Sequence, residues 1–400
     1  MKEDFTELEN EYKSLKSKLS EDGNNLTLLE KFAEVCCKLK KYKEAKEIYE
    51  RLIKDQPKTS KYNYRLGKVL FELEKYNEAL EQQNIAIEKW NNFQWAKYEK
   101  IKCLIALNKL NDVTELFTEF DSVIDGKGTD LILQKAITRL KFDLLFDIGE
   151  YGKAIELADK LTKLEPEDGF IPYKCGKIFL EQTQFEQALE KFQLADELLK
   201  KNYVKDKIAI TLGHLEKLNE AAEIYKSIPF HQMDDYICQH YGRLLYKMER
   251  YEDAKQQLKY AVLKKGKSEF KSHYHLGLVY EKLKKYKNAL QEFNIAQHLR
   301  KEQYKVDYSE ALQKIETIKK NNVIDENELL EEYENFRKGI IVKYNSDRGF
   351  GFIKDTDTQQ YFFHVKNCRY KDPKVGDNVK YFLVDGKKGK EANNVMIKKD

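Results

Sequence analysis

Aromatic residues and alanines recur at a nearly constant spacing over the first three quarters of the chain. An aromatic residue is followed three positions later by alanine in six places: Tyr42–Ala45, Tyr76–Ala79, Tyr151–Ala154, Phe185–Ala188, Tyr251–Ala254 and Tyr286–Ala289. Leu110–Val113 and Leu218–Ala221 are weaker copies. The small residues that close these pairs, called anchors below, are 34, 34, 41, 34, 33, 33 and 35 positions apart. A period of this length predicts a two-helix unit that repeats eight times.

A second small residue lies about a dozen positions before several anchors, as in Leu66-Gly67, Cys175-Gly176, Tyr241-Gly242 and Leu276-Gly277. Small residues let two helices approach closely, and large residues fill the gaps between them. The period and these positions resemble the tetratricopeptide repeat, whose hairpins stack into a solenoid. The resemblance implies a solenoid of about eight helical hairpins over residues 26–300. The spacing of 41 predicts a seven-residue insertion near residues 125–130.

The two ends of this array should differ from its middle, because a terminal repeat exposes an apolar face unless another element covers it. Residues 1–25 are predicted to form one amphipathic N-terminal helix. Residues 301–321 are predicted to form a capping helix, with Val306, Leu312 and Ile315 facing inward. Residues 322–336 form an acidic linker helix or a solvated linker. As a hypothesis, this linker competes with nucleic acid for the basic domain that follows.

The last part of the chain, residues 337–400, changes to the alternating pattern of β-strands. Phe350 and Phe352 share one face of a strand, and Phe362 and His364 share one face of another, because alternate residues of a strand point the same way. If the two strands are neighbours, these four rings form a platform on which unpaired bases can stack. Glycines beside the rings, such as Gly351, let a backbone or a ligand come close.

At these residues the chain resembles the cold-shock domain, a five-stranded β-barrel of the OB type. Arg348–Ile353 matches the family motif Lys-Gly-Phe-Gly-Phe-Ile, and Tyr361–Val365 matches Val-Phe-Val-His-Phe. The family's tryptophan near the end of the first strand aligns with Lys343, and the last phenylalanine of the second motif aligns with Val365. The nucleic-acid-binding residues expected on this basis are Lys343, Tyr344, Arg348, Phe350, Phe352, Lys354, Phe362, His364, Lys366 and Tyr370. Among them, Tyr344 and Tyr370 partly replace the missing rings, and Lys343, Arg348, Lys354 and Lys366 contact phosphates.

Charge is distributed unevenly between the two parts of the chain. Residues 337–400 carry 15 Lys and Arg against 8 Asp and Glu, a net charge of +7. The whole chain carries 72 and 68, so residues 1–336 carry 57 and 60, a net charge of −3. A basic domain on a slightly acidic body points to a polyanionic partner. The alternative is a lysine-rich surface that serves solubility only.

Repeat proteins of this type resemble one another in lining a groove with the first helix of each hairpin. The matching positions of this chain are aromatic and basic, which suits an acidic or amphipathic peptide, or a nucleic-acid strand. The alternative is that the rings pack between hairpins and the lysines are only solvated. The candidate groove residues are Tyr64, Arg65, Lys68, Trp95, Tyr98, Lys102, Tyr173, Lys174, Lys177, Tyr236, Arg243 and Tyr274.

Sequence signals for catalysis, metals and membranes are missing. The chain has no phosphate-binding loop and no His-Glu-x-x-His motif, and its six cysteines form no Cys-x-x-Cys pair. We therefore expect no enzyme activity, no cofactor and no metal. The cysteine usage suits reduced thiols in the cytoplasm. No segment approaches the ~18 consecutive apolar residues of a membrane span.

These observations predict a mainly α-helical protein in which a solenoid precedes a small five-stranded barrel at residues 337–400. The predicted function is binding of single-stranded RNA or DNA by the barrel, while the solenoid recruits a protein or peptide partner. Two alternatives remain: a protein-interaction scaffold whose barrel binds nucleic acid weakly or not at all, and a solenoid that itself binds RNA along its groove.

Overall fold

The repeats and the strands are both present in the structure, which is a computed structural model. It describes residues 2–126, 130–264, 269–321, 337–355, 359–365, 368, 373–386 and 389–397. The predicted linker at residues 322–336 lies outside these ranges. The chain divides into two compact units, Met1–Pro166 and Glu167–Asp400. Each unit is described by itself.

The first unit consists of an N-terminal helix and four helical hairpins. Its helices are α1 (Lys2–Glu21), α2 (Leu26–Lys38), α3 (Tyr42–Asp55), α4 (Ser60–Glu72), α5 (Tyr76–Lys89), α6 (Gln94–Ala106), α7 (Leu110–Thr118), α8 (Asp121–Ile124), α9 (Leu131–Asp147) and α10 (Tyr151–Leu164). The long spacing before the fourth hairpin is occupied partly by the short helix α8 and partly by the longer helix α9.

The second unit contains four more hairpins, a last helix and the five strands. The helices are α11 (Phe170–Glu181), α12 (Phe185–Leu199), α13 (Asn202–His214), α14 (Leu218–Lys226), α15 (Asp235–Lys247), α16 (Tyr251–Leu263), α17 (Glu269–Lys282), α18 (Tyr286–Tyr304) and α19 (Ser309–Asn321). A short 3-10 turn, Phe230–Gln232, lies between α14 and α15. The strands are β1 (Arg337–Asn345), β2 (Phe350–Asp355), β3 (Gln360–His364), β4 (Asn378–Gly386) and β5 (Gly389–Ile397).

The anchor residues of the repeat occupy the positions that the close-packing argument assigns to them. All eight are fully buried, with 0% of their surface exposed: Ala45, Ala79, Val113, Ala154, Ala188, Ala221, Ala254 and Ala289. The matching glycines on the preceding helices have no room for a side chain. A Cβ atom on Gly176 would lie 2.7 Å from the ring of Phe192, and one on Gly277 would lie 2.6 Å from the ring of Phe293. The spacing therefore marks real helix–helix contacts.

The second hairpin departs from this packing at one buried side chain. Phe192, Leu258 and Phe293 lie four residues after their anchors and fill the space beside the glycine, but Gln83 stands at this place in the second hairpin. Gln83 is 1% exposed, and its Nε2 donates to the carbonyl oxygen of Tyr64 at 3.1 Å. Its Oε1 has no hydrogen-bond partner among the described residues. A buried acceptor without a partner is costly.

A buried ion pair joins the two helices of the last hairpin. The Nδ1 atom of His273 in α17 lies 2.5 Å from a carboxylate oxygen of Glu292 in α18, and both residues are about 4% exposed. Burial alone would lower the pKa of His273, but hydrogen bonds to Glu269 and Glu292 outweigh it and raise that pKa above 6.5. The charged form of this histidine therefore stabilises the folded hairpin.

The last helix buries a set of residues that differs in part from the expected one. Helix α18 runs to Tyr304, and α19 begins only at Ser309. Val306 precedes the helix and is 56% exposed, and Leu312 is 38% exposed, so neither faces inward as expected. The buried face consists of Ala311, Ile315 and Ile318. The helix starts later than the apolar pattern suggested, which leaves Val306 outside it. Ala311, Ile315 and Ile318 share one face at spacings of four and three residues, and Leu312 follows Ala311 by one residue and so points to a different side.

The five strands close into a barrel in the order β1-β2-β3-β5-β4. All neighbouring pairs are antiparallel except β3 and β5, which are parallel. The interior contains apolar and aromatic side chains: Ile341, Ile353, Tyr361, Phe363, Val379, Tyr381, Ala392 and Val395. Because interior positions alternate with exterior ones, the other residues of β2 and β3 form an outward face.

Candidate nucleic-acid interface

Strands β2 and β3 bring the four predicted rings onto one outward face. Their antiparallel register places Phe350 opposite His364 and Phe352 opposite Phe362. The ring centroids of Phe350 and Phe362 are 5.7 Å apart, and those of Phe352 and Phe362 are 5.9 Å apart. All four side chains are half-buried, whereas the residues between them are buried inside the barrel. The result is a continuous aromatic surface, called the ring face below, that is open to solvent.

A β-bulge in β1 determines which residues of this strand join the ring face. The register of β1 with β2 shifts between Ile341 and Lys343, so that Lys343 lies opposite Phe352. Such a bulge moves every following side chain to the other face of the strand. Lys343 therefore points outward beside the ring face and is exposed.

Tyr344 consequently faces the interior. It lies opposite Gly351, and its ring stacks on Phe363 with a centroid distance of 6.0 Å and an interplanar angle of 10°. Phe363 is fully buried. The structure therefore separates Tyr344 from Phe350, Phe352 and Phe362, and its ring does not replace the missing one on the ring face.

The two glycines beside the rings have different structural roles. A Cβ atom on Gly351 would lie 2.3 Å from the carbonyl oxygen of Lys343 and 2.6 Å from the ring of Phe363. The close approach at this position is thus made by the protein's own backbone and core, on the side opposite the ring face. Gly349 has a φ angle of +62°, which favours glycine, and its carbonyl oxygen accepts a hydrogen bond from the amide of Val365 at 2.7 Å. This bond holds the turn between β1 and β2 against the end of β3.

Basic side chains surround the ring face. Lys343 and Lys354 are exposed on β1 and β2, and Arg348 is exposed in the turn between these strands. The side-chain Oδ1 atom of Asn345 accepts a hydrogen bond from the backbone N–H of Arg348 at 2.9 Å, which fixes the start of this turn. Two further predicted residues, Lys366 and Tyr370, lie outside the described residues.

Three outward residues next to the ring face were not predicted from the sequence. Asn345 lies opposite Phe350, and both Ile340 and Gln360 lie opposite Lys354. Ile340 is 46% exposed, and Asn345 and Gln360 are exposed. None of these residue types signals nucleic-acid binding by itself. They lie beside the rings because of the register between the strands, and this register cannot be read from the sequence.

In the first unit, the candidate groove cations are paired with carboxylates. Lys68 and Lys102 both contact Glu99, with N–O distances of 3.6 and 2.7 Å. Arg65 lies 3.5 Å from a carboxylate oxygen of Glu34. Glu34 lies on α2, and Glu99 lies on α6, the helix of Lys102. These two carboxylates offset much of the positive charge that the lining suggested. This pairing disfavours a polyanion along this part of the groove.

The candidate groove rings of the first unit pack on their neighbours to different degrees. Tyr64 is 9% exposed and lies 4.9 Å from the ring of Phe93. Trp95 and Tyr98 are half-buried and contact each other edge to face at 5.6 Å. The Nε1 of Trp95 donates to a carboxylate oxygen of Asp130, the residue that caps helix α9.

In the second unit, the candidate rings divide into packed and exposed ones. Tyr173 packs on Phe192, and Tyr274 packs on Phe293, at centroid distances of 5.9 and 5.6 Å. Tyr236 is 41% exposed. Among the candidate cations, Lys174 and Lys177 are half-buried and Arg243 is exposed.

The described residues contain no cluster of three or more His, Cys, Asp or Glu side chains that could hold a metal ion. All six cysteines are free thiols. Burial raises the pKa of Cys36, Cys103 and Cys238 to about 12 in each case, so these thiols stay protonated and unreactive. Among the helices described, none combines the length and apolar character needed to cross a bilayer.

Comparison with known proteins finds a matching family model for each of the two parts of the chain. The family model described as the 'Cold-shock' DNA-binding domain matches residues 337–398, and a tetratricopeptide-repeat model matches residues 38–92 and 242–303. The cold shock-like protein CspC of Bacillus cereus is 34% identical over 62 residues, which cover 15% of this chain and 95% of that protein. The cold shock-like protein CspB of Escherichia coli K12 is 35% identical over 63 residues, which cover 15% of this chain and 89% of that protein.

Among solved structures, the apo form of RapI superposes with a TM-score of 0.50 at 15% sequence identity. The match covers 65% of this chain and 80% of that one, and it shows the helical-repeat fold alone. Both identified domains belong to non-catalytic families. Through residues 337–398 the chain belongs to the cold-shock domain family, and tetratricopeptide repeats precede that domain.

Proposed function

We propose that the protein is a non-catalytic adaptor that binds single-stranded RNA or DNA with its barrel and a protein with its repeats. The observation that supports this most is the ring face: Phe350, Phe352, Phe362 and His364 stand side by side on two paired strands and are open to solvent. A strand that served only the barrel core would have no use for rings on its outward face.

Binding at the ring face would follow from stacking and charge together. Each base that stacks on an aromatic side chain contributes about 1–3 kcal/mol. Lys343, Arg348 and Lys354 surround the rings and would neutralise phosphates of the same strand. Three phosphate contacts on a single strand give a salt slope of about −2 in a plot of log K against log salt. Paired bases would not bind, because their faces are already stacked.

The repeats would supply the second binding activity. Exposed or half-buried groups remain on the first helices of several hairpins, including Trp95, Tyr98, Tyr236 and Arg243. A protein held by the repeats and an RNA held by the barrel would meet at high effective concentration on one chain. We place this activity in the cytoplasm, in keeping with single cysteines buried among the repeat helices.

A titration of the full chain tests the nucleic-acid part of the proposal. Labelled oligo-U and oligo-dT are titrated with the wild type and with the double variant F350A/F352A at two salt concentrations, and anisotropy is read. Removing two stacking surfaces should weaken binding by at least about 30-fold, from about 1–3 kcal/mol for each ring. The variant F5A is the control, because Phe5 is an exposed phenylalanine of the N-terminal helix.

The two alternatives give different results in the same titration. A scaffold with an inactive barrel is favoured by one observation: β1 contributes no ring to the ring face, since Lys343 replaces one and Tyr344 turns inward. It predicts no binding by the wild type even at low salt. Repeats that bind RNA themselves would leave the affinity of F350A/F352A equal to that of the wild type. Either result would overturn the proposed role of the barrel.

A further inference from the structure

The second unit contains a cavity lined by several basic side chains and by no carboxylate. It lies among the hairpins formed by α13 to α18, has a volume of about 570 Å³ and is open on one side. Five of its lining residues can carry a positive charge: His214, His240, Arg243, Lys247 and His275. No aspartate or glutamate lines it. The remaining walls are mainly aliphatic and aromatic.

The nearest carboxylate behind the cavity wall is already engaged. Asp206 of α13 is 5% exposed and accepts a hydrogen bond from the hydroxyl of Tyr225 at 3.0 Å. It also accepts from the Nδ1–H of His240 at 2.9 Å. Because Asp206 holds this nitrogen, the imidazole of His240 is fixed in orientation, and its other ring nitrogen is directed away from the aspartate. The carboxylate thus positions a basic group and is not itself open to a ligand.

Two basic residues of helix α15 differ in what they contact. Lys247 donates to the carbonyl oxygen of Gly213 at 2.9 Å and to Glu216 at 2.7 Å, so it has its own partners at the cavity rim. Arg243 is exposed and has neither a hydrogen-bond nor an ion-pair partner among the described residues. A guanidinium presents several donors in a planar fork that matches a carboxylate.

The electrostatic field of the cavity favours an anion. Burial, together with smaller contributions from the charges of Arg243, His240 and Lys271, lowers the pKa of His275 to about 3. His275 is therefore neutral at physiological pH, and no carboxylate of the cavity lining offsets the charge of Arg243. An anion that entered the cavity would be attracted by the guanidinium of Arg243.

We propose that this cavity binds a carboxylate side chain of an acidic peptide, with Arg243 as its main contact and His240, when both of its ring nitrogens are protonated, as a second donor. The proposal rests on the proposed recruitment of a protein by the repeats and names the chemistry of one subsite. A peptide fits better than a nucleic acid because neither tyrosine of the lining presents an open ring face to a base. Tyr225 is 1% exposed and stacks on Tyr241 at 4.9 Å, and Tyr246 packs edge to face on Tyr251.

A peptide titration of the full chain tests this inference. The probe is a fluorescein-labelled peptide of Glu-Leu-Ser repeats, and a peptide of Gln-Leu-Ser repeats controls for its apolar and polar groups. The variant is R243A, and the matched control is R250A. Arg250 is an exposed arginine that pairs with Asp253 and does not line the cavity. Hydrogen bonds to charged groups contribute enough that R243A should bind the acidic peptide about 10- to 100-fold more weakly.

The outcomes separate the cavity from the other proposals. Wild type and R250A should bind the Glu peptide equally well and should bind the Gln peptide at least about 10-fold more weakly. No difference between R243A and R250A would overturn the inference. If R243A weakens oligo-U binding as much as peptide binding, the cavity takes a phosphate of nucleic acid, and the peptide proposal is wrong.

A pull-down with full-length wild type and R243A distinguishes failure of this subsite from failure of recruitment. Partners captured equally by both proteins would contradict the role of Arg243 and leave recruitment by the repeats standing. If neither protein captures a partner and the Glu peptide does not bind, both recruitment and the subsite are wrong.

Discussion

Replacing Lys343 with tryptophan should strengthen the binding of single-stranded nucleic acid. Such a gain in affinity cannot be explained by misfolding of the variant. Lys343 is exposed on β1 and lies directly opposite Phe352. A ring at this position would extend the ring face from two strands to three. The cold-shock family has a tryptophan at the aligned place, so the barrel architecture accommodates it.

The size of the effect follows from one added ring and one lost charge. One more stacking surface contributes about 1–3 kcal/mol, which corresponds to about 5- to 150-fold tighter binding. Loss of one phosphate contact should reduce the salt slope by about 0.7. The K343W variant should therefore gain most at high salt, where the lost lysine matters least.

The assay is the same anisotropy titration with labelled oligo-U at several salt concentrations. K338W is the matched control, because Lys338 is an exposed lysine of the same strand that lies opposite Lys380. It is five residues from Lys343, or about 16 Å along an extended strand. Unchanged or weaker affinity of K343W at every salt concentration would refute the stacking mechanism, and an equal gain in K338W would show that the added ring acts non-specifically.

Three further predictions concern stability. Q83L replaces a buried amide with an apolar side chain like those of the other hairpins, so the melting temperature should rise. A lower melting temperature would contradict the destabilising role of Gln83. His273 stabilises the last hairpin below pH 6.5, and this contribution is lost as the pH rises through the raised pKa of the folded state. The melting temperature of H273Q should therefore vary less with pH than that of the wild type. Identical pH profiles of the two proteins would contradict a stabilising His273–Glu292 pair. G351A drives a Cβ into the ring of Phe363, so limited proteolysis should cut the barrel first, whereas wild-type resistance would contradict the packing.

The repeat architecture was predictable because its signal is redundant. Each hairpin repeats the same small residue at the same place, and a missing copy, such as Val113 for alanine, does not hide the period. The facing glycines add a second, independent series. A buried contact between two helices tolerates few residue types, so its positions can be recognised in the sequence by their small residues.

The ring face was only partly predictable, because it depends on strand register. Alternation correctly grouped Phe350 with Phe352 and Phe362 with His364. No glycine or proline lies at the bulge in β1 to predict it from the sequence. The bulge nevertheless turns Lys343 outward and Tyr344 inward. A single inserted residue reverses the facing of all later side chains, so pattern alone could not decide between these two neighbours.

The charge balance of the groove could not be predicted from its basic residues alone. The first helices carry acidic residues beside the basic ones: Glu34 lies on α2, and Glu99 lies on α6 together with Lys102. Glu99 and Glu34 pair with three of the candidate cations in the first unit. In the second unit no such carboxylate lines the cavity beside Arg243. Only the folded hairpins distinguish the two situations.

Photocrosslinking is the most direct test of whether nucleic acid lies on the ring face. The full chain is crosslinked to oligo-U that contains 4-thiouridine, and the crosslinked peptides are identified by mass spectrometry. The account predicts crosslinks in peptides that contain Phe350, Phe352 or Phe362, and their loss in F350A/F352A. Crosslinks confined to the helices of the repeats, with none in the barrel, would contradict it.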